Sequence, residues 1–414
     1  MGDSLFISKG SVCGEISAYP SKSYIQRALA LGLLNKNVTV ITNYTECEDS
    51  KAVLRSIIDL GAKVERSGNN LKIIGAEKFN HAQINCNESG LCLRMFAPIL
   101  SLSKEEFKIY GSKRLLERNN EHVCNILSRL GAKCYLERDY LSVRGPLKCG
   151  EVIIKNPTGS QLITGLLFAL SKANGDSKII IENPVSFPYI RMTAELLNRF
   201  GAEININEEN EIFIKGNSEF IEGTIDIEGD WSSAAFFFVA AAIAGEVKIR
   251  NLNPNSLQAD SAILKYLNKS GAKVIAGNDE IKVVQSELNG FTADIKDHPD
   301  LFIPLVILAV NCKGISKIYN YERLKYKESD RPSAIISELR KAGAKISVED
   351  GFVKIEKSEI SYGKPDIYND HRLAMGFAVA AINSKFGLKI KNYQCVNKSY
   401  PSFFEELKSI TREN

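Results

Sequence analysis

Apolar and polar positions follow one another in an order that repeats along most of this chain. A helical apolar pattern ends five times in Gly-Ala-Lys or Gly-Ala-Glu, at Gly61, Gly131, Gly201, Gly271 and Gly343. The spacings are 70, 70, 70 and 72 residues. A glycine directly after a helical pattern is a signal for a helix C-terminus, and a fixed period indicates a repeated supersecondary unit.

The segments on either side of each glycine predict the rest of the unit. Two short runs of alternating polarity follow it, as in KVIAG and EIKVV, and predict a strand hairpin. A strand such as VKIRNL precedes the Gly-Ala helix, and a longer apolar helix precedes that strand. These longer helices are predicted to begin near Lys22, Gly90, Ser160, Trp231, Pro299 and His371. The pattern therefore predicts an α/β protein of six units, each with the order helix, strand, helix, strand, strand.

The sixth unit lacks its closing strands. It runs from Asn369 through LKIKNY to the helix PSFFEELKSI, whereas the N-terminal strands SLFISK and VCGEISAY have no unit of their own. We therefore expect both N-terminal strands to complete the sixth unit. Three units per domain follow, with an inserted domain over residues 19–228 and a second domain of residues 1–18 plus 229–414. The chain would cross between them near Ala18–Ser21 and Glu228–Asp230.

The long apolar helices begin with polar residues. Capping explains the Ser, Thr and Asp content of these starts, but it does not explain Lys22, Arg27, Gln161 and Arg372 beside apolar segments. Helix N-termini attract anions, phosphates above all. If the units are related by symmetry, the starts lie at one end of each domain and form an anion site. Taken singly, each of these residues could also be a solvated charge or a simple cap.

The stretch Lys327-Glu328-Ser329-Asp330-Arg331 has the densest charge of any such start. Pro332 and a helical apolar pattern follow it, so Ser329 or Asp330 is predicted to cap a helix. We expect Asp330 to be structural, capping the helix and orienting an arginine. An exposed helix start would use the same residue types, and Arg118 and Lys398 also fit the surface when each is considered alone.

Composition narrows the classes of protein that fit. A chain of 414 residues favours two domains. The net charge of +4 gives no case for nucleic acid or an acidic membrane surface. The apolar segments 234–244 and 301–312 are too short to span a bilayer, and no signal peptide is expected.

The nine cysteines include no CxxC pair and no metal-ligand set. Cys92, Cys124, Cys134 and Cys312 lie in apolar patterns and are predicted to be buried free thiols, which suits a reducing cytoplasm.

Ten stretches of the chain together resemble the 5-enolpyruvylshikimate-3-phosphate synthase (3-phosphoshikimate 1-carboxyvinyltransferase) family, and they occur in the family's order. They are SKSYIQRAL, ESGLCLRMFAP, LLERNNEHV, GSQLITGLL, SFPYIRMT, EGDWSSAAFF, HPDLFIPLVILA, KYKESDRPSAIISELRKAGA, YNDHRLAMGFAVAA and NKSYPSFFEEL. The resemblance covers essentially the whole length. It implies two inside-out α/β domains, each of three βαβαββ-type repeats, with the active site in the cleft between them.

The resemblance also implies a reaction. The family transfers the enolpyruvyl group of phosphoenolpyruvate to the 5-hydroxyl of shikimate 3-phosphate and releases phosphate, on the shikimate pathway to chorismate and the aromatic amino acids. Addition gives a tetrahedral intermediate, and elimination follows. The family implies no metal, no cofactor, no nucleic-acid partner and no membrane partner. It also implies a monomer.

Site residues are carried over from the family's motifs. The proton-transfer candidates are Glu328, at the methyl carbon, and Asp300, at the hydroxyl, while Lys22 neutralises the departing phosphate. The positions matching the phosphoenolpyruvate site are Lys22, Gly90, Arg118, Gln161, Arg331, Arg372 and Lys398. Those matching the shikimate 3-phosphate site are Ser23, Arg27, Ser160, Gln161, Ser186, Asp300 and Lys327.

The chain departs from the family's pattern at several positions. Leu91 and Met95 stand where Thr and Pro are usual, which alters the helix beside the phosphoenolpyruvate site. Gly159 replaces a serine and removes a hydroxyl from the sugar-phosphate site. Arg323 stands where an Asn is often found, and its contact is not assigned by the resemblance.

Two alternative functions remain. UDP-N-acetylglucosamine enolpyruvyl transferase shares the fold and the chemistry, but its first motif carries Lys-Asn where this chain has Lys22-Ser23. It also uses a loop cysteine, whereas Cys124 here falls inside a helical pattern. A non-catalytic binding module on the same scaffold is the second alternative, and the presence of Glu328 and Asp300 argues against it.

Overall fold

The predicted alternation of long apolar helices with short strands is present throughout the chain. The structure, a computed structural model, describes residues 3–277, 279–361 and 363–413. The chain divides into two compact units: unit 1 is Met1–Tyr19 with Glu228–Asn414, and unit 2 is Pro20–Ile227. Among the described residues, no helix has the length and apolarity needed to cross a membrane.

Helices and strands are numbered in chain order. The α-helices α1 to α13 are Lys22–Leu34, Glu48–Asp59, Gly90–Leu100, Lys113–Leu116, Glu121–Arg129, Gln161–Lys172, Phe187–Arg199, Trp231–Ala244, Ile263–Ser270, Phe302–Val310, Arg331–Lys341, His371–Ile382 and Phe403–Ile410. Short 3-10 helices are Ala259–Ala262, Pro299–Leu301, Glu322–Tyr326 and Tyr393–Lys398. The strands β1 to β23 are Ser4–Ile7, Gly10–Ser17, Val38–Thr42, Lys63–Ser67, Asn70–Ile74, Gln83–Asn85, Glu106–Tyr110, Lys133–Leu136, Tyr140–Arg144, Glu151–Lys155, Ser177–Glu182, Ile204–Ile206, Glu211–Ile214, Gly223–Asp226, Gly245–Arg250, Lys273–Ala276, Glu280–Val284, Thr292–Asp294, Ile315–Tyr319, Lys345–Glu349, Phe352–Glu356, Leu388–Lys391 and Thr411–Glu413.

The long helices begin where the sequence predicts. They start at Lys22, Gly90, Gln161, Trp231 and His371, and the fifth begins as a 3-10 turn at Pro299. Every residue of α8, α10 and α12 is buried. The sheets carry one buried face each, as in the alternating pattern of β5. Each unit therefore holds its apolar helices at the centre and its sheets outside them, with its own hydrophobic core.

The predicted glycine caps are confirmed. Gly61, Gly131, Gly201, Gly271 and Gly343 follow their helices with φ between 80° and 104°. Glycine adopts this left-handed conformation without the penalty that a Cβ imposes.

Asparagine adopts the same left-handed conformation directly after several strands. Asn43, Asn183 and Asn320 follow β3, β11 and β19 with φ of 57°, 55° and 62°. Each side-chain amide donates to the end of the parallel neighbour, Asn43 to Ile227 O at 2.7 Å for example. Asparagine tolerates this backbone conformation, so one residue both turns the chain and ties two strands.

Unit 2 contains three four-stranded sheets, ordered β14-β3-β5-β4, β6-β7-β9-β8 and β10-β11-β13-β12. In each sheet the first two strands are parallel and the other pairs are antiparallel. The first sheet takes its parallel strand, β14, from the end of the unit and not from the segment that precedes α1. That segment, β2, belongs to unit 1.

The expectation that both N-terminal strands complete the sixth unit is half wrong. β1 does pair with β22 of the sixth unit, antiparallel from Ser4–Lys391 to Ile7–Leu388. β2 instead pairs parallel with β15 of the fourth unit and antiparallel with the C-terminal β23. Strands β2 and β14 are thus exchanged between the first and fourth repeats. Alternating polarity identified β2 as a strand but does not say which strand lies beside it.

The prediction of free thiols is wrong for two cysteines. Cys124 of α5 and Cys134 of β8 form a disulfide, with Cα atoms 4.8 Å apart. The helix and the strand of one repeat are brought together by the turn at Gly131, and that proximity was not visible from apolar patterning. Cys92 and Cys312 are buried free thiols as predicted.

Helices α3 and α6 of unit 2 approach most closely at Gly165, and a substitution there tests this packing. A Cβ at position 165 would lie 2.6 Å from Met95 O and 2.8 Å from Met95 Cα. Gly165→Ala is expected to lower the melting temperature, because overpacking costs about 1–3 kcal/mol. Gly159→Ala is the control, since a Cβ there meets nothing within 4 Å. Differential scanning calorimetry showing equal melting temperatures for both variants would contradict the close approach.

Candidate active site

In unit 1, the starts of α10, α11 and α12 converge on the guanidinium of Arg331. Arg331 is 2% exposed. It donates from Nη1 to Asp300 Oδ1 at 2.8 Å, from Nη2 to Glu328 Oε2 at 2.7 Å and from Nε to Asp370 Oδ2 at 2.9 Å. These three carboxylates raise the pKa of Arg331 against the lowering effect of burial, with Asp370 contributing most. Three charge-assisted bonds fix the arginine in one position.

Three further cations complete this group. Lys327 Nζ lies 3.7 Å from Asp300 Oδ1, Arg372 Nη2 lies 3.5 Å from Asp300 Oδ2, and Lys398 Nζ lies 3.5 Å from Glu328 Oε1. We call these residues, together with Arg331, Asp370, Asp300 and Glu328, the Arg331 cluster. It contains all the site residues predicted in unit 1: Asp300, Lys327, Glu328, Arg331, Arg372 and Lys398.

The cations determine the charge state of Asp300. Burial alone would raise the pKa of this carboxyl, but Lys327, Arg372 and Arg331 together hold its pKa well below the usual range. Burial lowers the pKa of Lys327, with Asp300 opposing that effect. Asp300 is therefore a carboxylate at neutral pH.

Of the two roles predicted for Asp330, capping a helix and orienting an arginine, the second belongs to Asp370. Asp330 does cap α11, accepting from the Ser333 amide at 3.1 Å, as predicted. The arginine, however, is oriented by Asp370, which also accepts from Ser329 Oγ at 2.8 Å and caps α12 through the Arg372 amide at 2.9 Å. The sequence offered Asp370 only as a helix cap, because its distance from Arg331 along the chain hides their contact.

Another buried carboxyl, Asp260, interacts electrostatically with Asp300 and Arg372 of the Arg331 cluster. Asp260 is fully buried and accepts a hydrogen bond from Ser232 in the first turn of α8. Burial, followed by the charge of Asp300, raises the pKa of Asp260 to about 7. Sequence patterning does not point to Asp260, because it lies in the 3-10 helix Ala259–Ala262 and not at the start of a long apolar helix.

In unit 2, the predicted residues Gln161 and Arg118 lie beside Gly90. A Cβ at position 90 would lie 3.3 Å from Gln161 Oε1 and 3.6 Å from Arg118 Nη1. Arg94, which was not predicted, binds this group together. It donates to Gln161 Oε1 at 2.7 Å, to Asn120 Oδ1 at 3.0 Å and to Arg118 O at 3.4 Å.

Arg27 forms the other predicted group of unit 2. Its Nε donates to Thr193 Oγ1 at 2.9 Å, Nη1 to Ser23 O at 2.8 Å and Nη2 to Thr164 Oγ1 at 3.2 Å. Burial lowers its pKa to about 10, so it remains a cation at neutral pH. The guanidinium also lies 5.7 Å from the ring centroid of Tyr189, another residue not predicted.

Ser160 and Ser186 stand at the starts of the helices that hold Arg27. Ser160 precedes α6, which carries Thr164, and Ser186 precedes α7, which carries Thr193. Both serines are buried, at 6% and 4% exposure. Ser186 has φ of 54°, a conformation uncommon for serine.

Lys22, the first residue of α1, forms an ion pair with Asp49 of α2 at 2.9 Å.

The alternative that the predicted cations are exposed surface charges is wrong for five of them. Arg27, Arg118, Arg331, Arg372 and Lys398 are between 2% and 7% exposed. Burying this many cations is costly unless carboxylates or bound anions compensate, so both units are suited to anionic ligands.

The chain is similar to known proteins along nearly its whole length. Residues 8–407 match the model of the EPSP synthase (3-phosphoshikimate 1-carboxyvinyltransferase) family. Enzymes named 3-phosphoshikimate 1-carboxyvinyltransferase from Clostridium novyi and Clostridium perfringens are 37% and 35% identical to this chain. The alignments cover 96% and 98% of this chain, and 95% and 98% of the relatives.

Solved structures show the same fold. EPSP synthase from Acinetobacter baumannii aligns with a TM-score of 0.84 at 24% identity, covering 99% of this chain and 98% of its own. The enolpyruvyl transferase NikO from Streptomyces tendae aligns with a TM-score of 0.81 at 13% identity, covering 100% of this chain and 98% of its own. The predicted class of inside-out α/β fold is confirmed. The chain belongs to the EPSP synthase (3-phosphoshikimate 1-carboxyvinyltransferase) family.

Proposed function

We propose that this chain transfers the enolpyruvyl group of phosphoenolpyruvate to the 5-hydroxyl of shikimate 3-phosphate and releases phosphate, with the residues described above as its site. Membership of the family supports the reaction and its place on the shikimate pathway. The observation that carries the assignment of residues is the Arg331 cluster. Four cations surround the two carboxylates Asp300 and Glu328, as a reaction of two anionic substrates with proton transfer needs.

Phosphoenolpyruvate is assigned to Arg331, Arg372 and Lys398 of unit 1 and to Lys22, Gly90, Arg118 and Gln161 of unit 2. The burial of Arg372 supports this role. Its Nε and Nη1 have no hydrogen-bond partner among the described residues, although both atoms are buried. Buried donors without partners cost about 1–3 kcal/mol each, and a carboxylate or phosphate would satisfy both in the fork geometry that arginine offers.

Shikimate 3-phosphate is assigned to Ser23, Arg27, Ser160, Gln161 and Ser186 of unit 2 and to Asp300 and Lys327 of unit 1. Arg27 is already held at Nε, Nη1 and Nη2, so it acts as a fixed charge and needs little ordering when the ligand binds. The hydroxyls at the starts of α6 and α7 lie beside amides that favour a phosphate.

The two carboxylates divide the proton transfers. Glu328 accepts from Arg331 through one oxygen and faces Lys398 with the other, and it transfers the proton to and from the methyl carbon. Asp300 takes the proton of the attacking hydroxyl. The low pKa of Asp300 makes it a weak base without ligand. Anionic substrates that pair with Lys327, Arg372 and Arg331 weaken the field on Asp300 and bring its pKa upward, towards the value a base needs.

Lys22 balances the charge of the departing phosphate in the elimination step. Its ion pair with Asp49 holds the ammonium in place. This chemistry needs no metal and no organic cofactor. Addition forms a C–O bond from the 5-hydroxyl to C2 of the enolpyruvyl group and protonates C3, and elimination breaks the bond from C2 to the phosphate oxygen and removes a methyl proton, so each step needs only acid–base groups and charge compensation for the phosphate.

Assembly and location are further proposals. The family acts on small molecules, and we propose that the chain works as a cytoplasmic monomer. Seven of the nine cysteines are free thiols in the structure, four of them buried, which suits a reducing compartment, whereas the Cys124–Cys134 disulfide is unusual for one. Sedimentation at a mass of two chains would contradict the monomer.

The reaction can be tested by release of inorganic phosphate. We expect turnover with phosphoenolpyruvate plus shikimate 3-phosphate, and none when UDP-N-acetylglucosamine replaces the shikimate ester. A non-catalytic binding protein would release no phosphate with either acceptor. Turnover with the nucleotide sugar alone would favour the sister enzyme and overturn the proposal.

Glu328→Gln tests the proton-transfer role. The amide keeps an oxygen for Arg331 but cannot transfer a proton, so kcat should fall by about 10²–10⁴ while substrate still binds. Glu322→Gln is the matched control, because Glu322 is an exposed glutamate of the preceding 3-10 helix. Phosphate release measures kcat, and calorimetric titration measures binding. Unchanged kcat in Glu328→Gln would remove this residue from the mechanism.

A further inference from the structure

The segment that leads to Asp300 is fixed by side chains from outside it. Asp294 ends β18, and its Oδ1 accepts from Asn320 Nδ2 at 2.7 Å. The carbonyl of Asp294 accepts from Tyr266 OH at 2.8 Å, and the same hydroxyl contacts His298 Nε2 at 2.8 Å. These contacts secure the segment at both of its ends.

Arg323 secures the middle of the same segment. Its Nη2 donates to Lys296 O and, at 3.4 Å, to Ile295 O. Arg323 belongs to the 3-10 helix Glu322–Tyr326, which ends directly before Lys327. The guanidinium of Arg323 therefore connects the backbone segment before Asp300 with the 3-10 helix before Lys327.

We propose that Arg323 is a positioning residue for shikimate 3-phosphate, acting through the placement of Asp300 and Lys327. This inference rests on the proposed function, since it takes Asp300 and Lys327 as the groups that meet this substrate. In this role Arg323 acts through the backbone carbonyls before Asp300 and not through a contact of its own with the substrate. It fixes the separation of a carboxylate and an ammonium that must both meet one ligand, and misplacement of such groups by about 1 Å can cost about 10²-fold in rate.

The contact geometry explains why arginine stands here. Two adjacent carbonyls share one guanidinium nitrogen, and the planar fork keeps that nitrogen in a defined orientation. Lysine offers a single mobile ammonium in its place. A neutral amide such as glutamine is shorter and carries no charge.

The charge of Arg323 also acts on Lys327. The charged groups that face Lys327 are Asp300, Arg331, Glu328 and Arg323. Burial lowers the pKa of Lys327 most, and the two arginines add to that effect, while the two carboxylates oppose it. Loss of the positive charge at position 323 therefore raises the pKa of Lys327. Burial lowers the pKa of His298 to about 4, so this neighbour is neutral across the alkaline range.

The placement of Asp300 by Arg323 predicts that the two substrates respond differently when Arg323 is replaced. Arg331 retains Asp370 and Glu328 as partners when Asp300 shifts, so the phosphoenolpyruvate side is less disturbed. Without the charge-assisted bonds of Arg323, the KM for shikimate 3-phosphate should rise about tenfold or more, because loss of a hydrogen bond from a charged group changes an equilibrium by about that factor. The KM for phosphoenolpyruvate should change by less than about threefold, since the bonds of Arg331 to Asp370 and Glu328 remain.

The test compares Arg323→Gln, Arg323→Lys and a matched control, Arg340→Gln. Arg340 also donates to a backbone carbonyl, Ile346 O at 2.8 Å, but it is an exposed residue at the far end of α11. Phosphate release gives kcat and both KM values as a function of pH, and calorimetry gives the melting temperature.

We expect Arg323→Gln to raise the KM for shikimate 3-phosphate and to move the alkaline limb of kcat/KM to higher pH. Arg323→Lys should raise that KM less and leave the limb in place, because the charge remains. Arg340→Gln should alter only the melting temperature.

Distinct outcomes overturn this inference and the proposed function. Equal changes of both KM values, or an unmoved alkaline limb in Arg323→Gln, would reduce Arg323 to a structural role. Kinetics of Arg323→Gln that match those of Arg340→Gln would do the same. Absence of turnover in the wild-type protein would instead overturn the proposed function.

Discussion

The buried guanidinium of Arg331 is the interaction on which the rest of unit 1's site depends. A buried cation is costly unless it is paired and fully hydrogen-bonded, and here three carboxylates from three segments provide the pairing. Because each carboxylate stands at or beside a helix start, satisfying Arg331 also fixes where α10, α11 and α12 begin relative to one another. Lys327, Arg372 and Lys398 then take their positions from the same carboxylates.

Much of the fold could be predicted because the repeat makes each signal occur several times. A glycine after a helix is weak when found once, but five of them at nearly constant spacing define the unit, and all five adopt positive φ. The apolar helices were equally clear, since a helix that is apolar on all sides must be buried. The charged residues at their starts could then be assigned together, and in unit 1 they do come together.

The sequence could not predict features that depend on which segments become neighbours. The alternating polarity of β2 predicts a strand. It does not predict which strand lies beside it, and the partner β15 is more than two hundred residues away in the sequence. Local patterns likewise do not predict three contacts between segments that are distant or separated by a turn. These are the hydrogen bond from Arg331 to Asp370, the hydrogen bond from Arg94 to Gln161 and the Cys124–Cys134 disulfide. Arg94 lay within a motif that was recognised, so its position was available, but no local pattern indicated what it holds.

The exchange of β2 and β14 sets an order on folding during synthesis. Chains fold from the N-terminus as they emerge from the ribosome, and unit 2 is complete in one continuous stretch once Ile227 has appeared. Strands β1 and β2 are made before unit 2, yet β2 has no partner until Gly245–Arg250 emerges, and β1 waits for Leu388–Lys391. Strand β2 thus waits unpaired while the whole of unit 2 is made, β1 waits until most of unit 1 has been made, and the inserted unit can fold while unit 1 is still being translated.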